Sequence, residues 1–356
     1  MVRAMRTAVR WGGATVVVLV ALAALAVLAA AVLDRPDAEP RAVDPGEPEV
    51  AAFLAAEAAV MAHHDLDPTE HVVDVADPGL AVRVLEVGDG PPVLVVPPAP
   101  GEAARLAPLI AGLDSFRFLL VNLPGGGGSD SVDLRAIDER DLALATLDAV
   151  YDHVGLDAAA IVASSRGGPW ALWYGIDRPD RVTASIQLGA PALVEGTTVP
   201  AMLRPLAVPG LGRIIATQMP AATPDDAGEV YEIIGHPAAT VETLPRELLE
   251  LEHAAQHLPT YQLLWRSLLQ SSLRVGGLAG WDADLRIDPA DLRGIDHPTL
   301  LLWGASDPFG DPSAGREIAA RLPDAELSVV GVGHFPWLDD PDGVAAPVEA
   351  FLNAQP

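Results

Sequence analysis

The chain has 356 residues, half of them hydrophobic, which is enough for one enzyme-sized core with a smaller inserted unit. It contains no cysteine, and this excludes disulfides, thiolate metal sites, a cysteine nucleophile and a lipid anchor carried on cysteine. The 49 acidic residues outnumber the 22 basic ones, so no nucleic-acid partner is expected, because a phosphate backbone would be repelled.

The first elements along the chain concern its N-terminus. Residues 11–33 carry no charge and are almost wholly apolar, and residues 1–10 before them carry three arginines. At about 1.5 Å per residue, the apolar stretch is long enough for the roughly 30 Å hydrocarbon core of a bilayer. We therefore predict a transmembrane anchor over 11–33, with 1–10 cytoplasmic and the body extracytoplasmic by the positive-inside rule. A signal peptide cleaved after Ala31, which would leave a secreted protein, is the alternative.

A linker and the first part of the body follow. Residues 34–50 are rich in proline and charge, and they predict an extended linker. Residues 51–192 begin with a helical pattern and continue with apolar strands that alternate with helices. This alternation is typical of a mostly parallel, doubly wound α/β sheet. Two segments in which apolar and polar residues alternate, 71–75 and 81–87, are expected to be edge strands.

Residues 161–168 predict a strand, a sharp turn around a serine and the start of a helix. A serine on such an elbow needs small residues two positions before and after it, because the strand and the helix nearly touch there. Ser165 has Ala163 and Gly167 at these positions, whereas Ser164 would have a valine and an arginine. Ser165 is therefore the candidate nucleophile.

The strand pattern stops over residues 193–296. Leucine-rich helical patterns at 245–257 and 260–273 predict a helical cap inserted between two strands of the core. A cap of this kind roofs the reacting groups and shapes an apolar pocket. The apolar residues considered for the lining of that pocket are Met202, Leu203, Leu211, Ile214 and Met219.

Strands return over residues 297–356, which complete the core. Asp307 follows a buried apolar strand, and His334 follows the next strand. Because open α/β sheets place their ligands at the carboxyl ends of the strands, both side chains are expected near Ser165. Asp311 is an alternative for the acid, although it lies farther from the end of its strand.

Further motifs surround these residues: the apolar strand 92–96, the turn N-L-P-G-G-G-G-S-D at 122–130, R-P-D-R-V at 178–182 and G-A-P-A at 189–192. With them the chain resembles the α/β-hydrolase superfamily, and specifically its cap-bearing serine hydrolases. The resemblance covers roughly residues 70–353. In this family the triad follows the chain order Ser, Asp, His, which is the order of the three candidates.

The resemblance implies a role for each site residue. Ser165 would attack a carbonyl carbon, His334 would take the proton of the serine, and Asp307 would orient His334. The oxyanion hole would consist of the backbone N–H groups of Arg166 and Ala99. Ala99 stands in a proline-rich loop where the family has His-Gly-x-Pro, and its proline neighbours have no N–H to donate.

We therefore expect a carboxylic-ester-hydrolase-like enzyme that cleaves an ester or a related carbonyl substrate through an acyl-enzyme. Its partners would be a small molecule with an apolar acyl group and, through the N-terminal helix, the membrane. No cofactor and no metal ion is expected. Thioester, amide and C–C cleavage remain open. The proline-rich loop also keeps open a membrane-tethered binding or sensing protein with a weakened site.

Overall fold

A computed structural model provides the architecture of the protein and describes residues 24–25, 27–32, 34–274 and 280–355. The strands of the described residues form one eight-stranded sheet in the order β1-β2-β4-β3-β5-β6-β7-β8. Their bounds are Thr69–Val75 (β1), Leu80–Val87 (β2), Pro92–Val96 (β3), Arg117–Val121 (β4), Ala159–Ser164 (β5), Val182–Leu188 (β6), Thr299–Trp303 (β7) and Ala325–Val329 (β8).

The pairing of the strands confirms the predicted mostly parallel sheet. From β4 through β8 every neighbouring pair is parallel, whereas β2 pairs antiparallel with both β1 and β4. The expectation of two edge strands at 71–75 and 81–87 is half wrong, because β1 lies at the edge but β2 lies inside the sheet. Apolar and polar alternation reports which face of a strand is covered, and it does not report how many strands flank it.

The helices pack on both faces of the sheet and fill the connections. Their bounds are Pro48–His63 (α1), Ala107–Ile110 (α2), Glu139–Val154 (α3), Gly167–Asp177 (α4), Leu211–Ala216 (α5), Pro224–Ile233 (α6), Ala238–Val241 (α7), Arg246–Gln256 (α8), Tyr261–Ser272 (α9), Pro289–Leu292 (α10), Pro312–Ala319 (α11), Pro336–Asp339 (α12) and Pro341–Asn353 (α13). Short 3-10 turns lie at Ala103–Leu106, Pro179–Arg181 and Arg204–Ala207.

The core consists of two apolar layers, one on each face of the sheet. Along β3 the side chains of Leu94 and Val96 enter one layer, and those of Val93 and Val95 enter the other. This follows from the two-residue period of a strand, in which successive side chains point to opposite faces. A strand that is buried on both faces reads as a continuous apolar run, as β3 and β7 do.

The segment between β6 and β7 carries the short helices α5 to α10. The two leucine-rich patterns predicted as helices at 245–257 and 260–273 correspond to α8 and α9, within one residue at each end. Their apolar faces are buried, as Leu248 and Leu251 on α8 and Leu264 and Leu268 on α9 illustrate.

The predicted anchor over 11–33 lies mostly outside the described residues. No helix in the part of the chain that the structure describes is both long and apolar enough to cross a bilayer. Residues 27–32 are helical. They lie close to the segment before α5, as Gly210 shows: a Cβ atom added to it would be 2.1 Å from the carbonyl oxygen of Val27.

The predicted linker runs along the surface of the body. The Asp34 carboxylate is buried and lies 3.1 Å from Arg135, which follows β4, and 3.1 Å from Arg266 on α9. Arg41 pairs with Ser131 through two backbone hydrogen bonds. The first residue of this segment is therefore attached at once to the core and to the helical segment between β6 and β7.

Candidate active site

Ser165 occupies the sharp turn between β5 and α4. Its backbone φ is +50°, a left-handed conformation that costs energy for any residue with a side chain. The turn is tight enough that a Cβ atom on Gly167 would lie 2.2 Å from the carbonyl oxygen of Val96 on β3. A glycine is required at that position, and the serine is held at the tip of the turn.

The neighbouring serine has a different environment. The Ser164 hydroxyl is fully buried and donates a hydrogen bond of 2.8 Å to the carbonyl oxygen of Leu188 on β6. Ser165 instead lines a cavity above the sheet. Of the two adjacent serines, only Ser165 is open to a bound molecule.

His334 and Asp307 form a buried pair beside this cavity. The Nδ1 atom of His334 lies 2.8 Å from Oδ2 of Asp307. The Asp307 carboxylate also accepts backbone N–H bonds from Ala190 at 2.8 Å and from Phe309 at 2.9 Å. An aspartate that accepts at both oxygens is fixed in position, and it fixes the imidazole ring in turn.

The other ring nitrogen of His334 faces no hydrogen-bonding group among the residues that the structure describes. Nε2 is buried and makes no hydrogen bond to any described group. The Phe309 ring stacks on the imidazole at 4.0 Å and covers one of its faces. Because His334 lines the same cavity as Ser165, its free nitrogen is available to a group that approaches the serine.

A second histidine–aspartate pair, which the sequence reasoning missed, holds the loop that carries His334. Oδ2 of Asp339 accepts the backbone N–H groups of Val332 and Gly333, both at 2.8 Å, and its Oδ1 bonds to Nδ1 of His236 at 3.0 Å. Burial by itself would raise the pKa of Asp339, but the hydrogen bonds to His236 and to the loop outweigh it and lower the pKa. Nε2 of His236 accepts the backbone N–H of Phe335.

The two predicted oxyanion donors stand at the cavity that Ser165 lines. Ala99 and Arg166 both line the cavity, and neither backbone N–H has an acceptor among the described groups. The Arg166 side chain pairs with Glu139 at 3.0 Å, and its guanidinium lies 5.6 Å from the centre of the Trp170 ring. The structure therefore brings all five predicted site residues to one place.

The cavity itself has a volume of about 360 Å³ and lies between the sheet and the helices inserted after β6. Of the apolar residues considered for its lining, Met202, Leu203 and Met219 contribute to it, whereas Leu211 and Ile214 are outside its wall. The helical period explains the difference on α5, because the face that turns Ile215 toward the cavity turns Ile214 toward solvent.

A buried ionic cluster, also missed from the sequence, forms part of the cavity wall. The Arg105 guanidinium bonds to Glu252 on α8, lies 3.0 Å from Glu102 and 3.3 Å from the Tyr231 hydroxyl on α6. Burial raises the pKa of Glu102, and it also raises the pKa of the Tyr231 hydroxyl. The cluster joins the loop after β3 to two helices of the inserted segment.

The alternative acid, Asp311, has a structural role. It is exposed, and its Oδ1 atom accepts the backbone N–H of Ser313 at 2.7 Å as the N-cap of α11. His297, two residues before β7, is buried at 3.2 Å from the Ser185 hydroxyl, and burial lowers its pKa to about 4. Neither residue is part of the cavity wall.

Comparison with known proteins decides the family. A sequence profile described as the alpha/beta hydrolase family matches residues 93–346, well over half of the chain. The chain belongs to the alpha/beta hydrolase family. The matched region contains Ser165, Asp307 and His334.

Relatives of this α/β-hydrolase are named hydrolases and esterases. It is 25% identical over 288 residues to the 2-hydroxy-6-oxononadienedioate/2-hydroxy-6-oxononatrienedioate hydrolase of Burkholderia vietnamiensis, a match that covers 76% of this chain and 91% of the relative. A carboxylesterase structure from Bacillus subtilis aligns with a TM-score of 0.67 at 19% identity, covering 85% of this chain and 98% of that one. The 2-hydroxy-6-oxo-6-phenylhexa-2,4-dienoate hydrolase from Rhodococcus sp. strain RHA1 aligns with a TM-score of 0.63 at 20% identity, covering 81% and 100%. The protein is thus a hydrolytic enzyme of the α/β-hydrolase family.

Proposed function

We propose that this α/β-hydrolase is a serine hydrolase whose triad is Ser165, Asp307 and His334. One observation carries the proposal: the strained Ser165 and the unpartnered Nε2 of His334 line the same cavity, and Nδ1 of that histidine is bonded to Asp307. A nucleophile, a base and a group that orients the base are the three parts of acyl transfer by serine.

In the first half-reaction, Ser165 Oγ forms a bond to the carbonyl carbon while Nε2 of His334 takes the hydroxyl proton. The bond to the leaving group then breaks, and the leaving group departs with that proton. The negative charge that develops on the carbonyl oxygen is held by the N–H groups of Ala99 and Arg166. In the second half-reaction, water attacks the acyl-enzyme, its proton passes through His334 to the serine oxygen, and the acid is released.

The apolar wall of the cavity favours a substrate with an apolar acyl group. Leu193, Leu206, Ile215, Leu268 and Phe309 are among the apolar side chains that line it. Burial of an acyl chain against such a wall contributes about 0.8 kcal/mol for each methylene group. We propose an ester as the substrate, with thioester, amide and C–C bonds next to a carbonyl as the other candidates.

A fluorophosphonate probe tests the nucleophile, because it labels only a serine that its own site activates. The wild-type protein and the Ser164→Ala variant are expected to be labelled, since the Ser164 hydroxyl is bonded to Leu188. The Ser165→Ala variant is expected to remain unlabelled. A folded wild-type protein that takes no label would contradict the proposal and would favour the binding or sensing protein with a weakened site.

We also propose that residues 11–33 anchor the protein in the cell membrane with its catalytic body outside the cytoplasm. The uncharged apolar sequence and the three arginines before it support this arrangement. Mass spectrometry of the protein recovered from membranes tests it. An intact N-terminus is expected, whereas a mature chain that begins at Val32 would show that the segment is a cleaved signal peptide.

A further inference from the structure

The first observation is that the positive charges on the cavity wall already have partners. Among the described residues that line the cavity, the arginines are Arg105 and Arg166. Arg105 is paired with both Glu102 and Glu252, and Arg166 is paired with Glu139. Each guanidinium is almost wholly buried in these pairs, so its charge is compensated before any substrate arrives.

The second observation is that the remaining charges on the wall are negative. Asp226 and Glu229 on α6 are exposed residues that also line the cavity, which places them at its mouth. The Asp226 carboxylate accepts a hydrogen bond of 2.7 Å from Thr223. Helix α6 contains no basic residue that would offset these two carboxylates. In a narrow apolar cleft, charges of one sign act on a bound molecule more strongly than they do in open water.

The third observation is the apolar character of the space between the mouth and Ser165. Met219, Val230 and Ile234 line this space, and so do aromatic side chains that include Phe309 and Phe335. Transfer of a carboxylate from water into such surroundings is costly unless a cation or several hydrogen-bond donors compensate it. The described wall offers no arginine that is not already paired with a carboxylate.

We propose that the cavity selects acyl groups without negative charge and rejects acyl groups that carry a second carboxylate. The proposal rests on the proposed serine hydrolase function and adds the substrate class to it: neutral esters of apolar acids. This selectivity differs from that expected of relatives such as the Burkholderia vietnamiensis enzyme, whose name denotes a dicarboxylate substrate, a dienedioate. Family membership at 25% identity leaves room for such a difference.

The test compares two esters of the same length on the full chain. The p-nitrophenyl ester of octanoic acid is neutral, and the mono-p-nitrophenyl ester of octanedioic acid carries a carboxylate at the far end of its acyl group. We expect kcat/KM for the anionic ester to be lower by a factor on the order of 100, because that carboxylate meets either the apolar wall or Asp226 and Glu229. Equal values, or a preference for the anionic ester, would overturn the proposal.

Substitutions on α6 locate the origin of the selectivity. The double variant Asp226→Asn, Glu229→Gln is expected to lower the ratio between the two esters several-fold, because two like charges leave the mouth. The matched control is Glu232→Gln, which removes an exposed carboxylate from the same helix without altering the cavity wall, and its ratio should equal that of the wild type. A change of the ratio in the control alone would contradict the assignment to the mouth.

Arg166 provides the competing outcome. Both Nη atoms of its guanidinium are buried without a hydrogen-bond partner among the described residues, although Nε is bonded to Glu139. If this side chain held a substrate carboxylate, the anionic ester would be preferred and Arg166→Met would remove that preference, and the charge selection proposed above would be refuted. If the folded wild-type protein hydrolysed neither ester and took no fluorophosphonate label, the result would instead count against the serine hydrolase function itself.

Discussion

The cavity has two sides, the core sheet and the helical segment inserted between β6 and β7 (the cap), and the two sides hold their side chains in different ways. In the core, Ser165 stands on a backbone turn fixed by β5 and α4, and His334 stands in a loop that follows β8. In the inserted segment between β6 and β7, short helices are bonded to the core by buried charges such as the Arg105–Glu252 pair. Ser165 and His334 are thus positioned by loops at the ends of sheet strands, while the helices over the cavity are attached to the core by a few buried polar contacts.

The largest effect should come from the core half. Asp307→Asn is expected to reduce kcat by about four powers of ten, because the amide cannot hold the imidazole in the tautomer that accepts the serine proton. Asp311→Asn keeps a side-chain oxygen that can cap α11 and removes only the charge, so kcat should remain close to that of the wild type. Steady-state kinetics of the two variants on a neutral ester measures the difference. A greater loss in Asp311→Asn would transfer the role of the acid to that residue.

A substitution in the buried ionic cluster of the cap should lower the stability of the protein. Arg105→Met leaves Glu102 and Glu252 buried without their cation, and loss of one member of a buried ion pair costs about 3–5 kcal/mol. Urea unfolding measures the change in the free energy of unfolding. The control is Arg246→Met on α8, whose ion pairs with Asp225 and Glu250 are exposed, so little change is expected. Similar losses in both variants would mean that the buried cluster does not hold the cap.

A buried histidine of the core, His297, should make the stability of the protein depend on pH. Burial lowers the pKa of His297 to about 4, below its ordinary value near 6.5, so the folded protein keeps this ring neutral where the unfolded chain protonates it. Its contribution is therefore complete above pH 6.5 and is lost as the pH falls toward 4, by roughly 3 kcal/mol. Urea unfolding between pH 4 and 7 should show a flatter profile for His297→Gln. The exposed His257→Gln variant should follow the wild type, and an identical profile for His297→Gln would refute the assignment.

The smallest effect is expected where the two halves meet. Asp339 holds the His334 loop and also bonds to His236 of the inserted segment. Asp339→Asn keeps the shape of the side chain but leaves one neutral acceptor oxygen and puts an NH2 donor in place of the other, so we expect a loss of about 1–2 kcal/mol in stability. A fall in kcat of about tenfold should accompany it, since the loop positions His334. An unchanged kcat would mean that Asp307 alone is sufficient to hold the histidine.

The same contrast explains what the sequence could reveal. The inner strands were predictable because burial on two faces leaves continuous apolar runs, and Asp307 was recognisable because it follows such a run. His334 follows β8, whose side chains are half-buried or exposed, and it was recognisable from its place after that strand and from the chain order Ser, Asp, His. The choice of Ser165 over Ser164 followed from the space that the turn leaves, and the roles of all three residues stay predictions until they are tested.

The polar contacts of the cap were not predictable in this way. Arg105 and Glu252 lie 147 positions apart, and in sequence each looks like an ordinary solvated residue. Their burial depends on how two segments approach in space, which no local period encodes. The helical pattern from Ala103 to Leu113 predicts one continuous helix, but a 3-10 turn and the four-residue α2 occupy that stretch instead.

Asp34 gives the N-terminal segment a mechanical connection to the enzyme. It directly follows the apolar residues 11–33, and its carboxylate is bonded to Arg135 of the core and Arg266 of α9. A flexible linker directly after the apolar segment would decouple movements of that segment from the folded body. Here, a force on the residues before Asp34 would instead be transmitted directly to the contact between the core and the inserted helices. The N-terminal segment and the helices over the cavity are attached at the same residue.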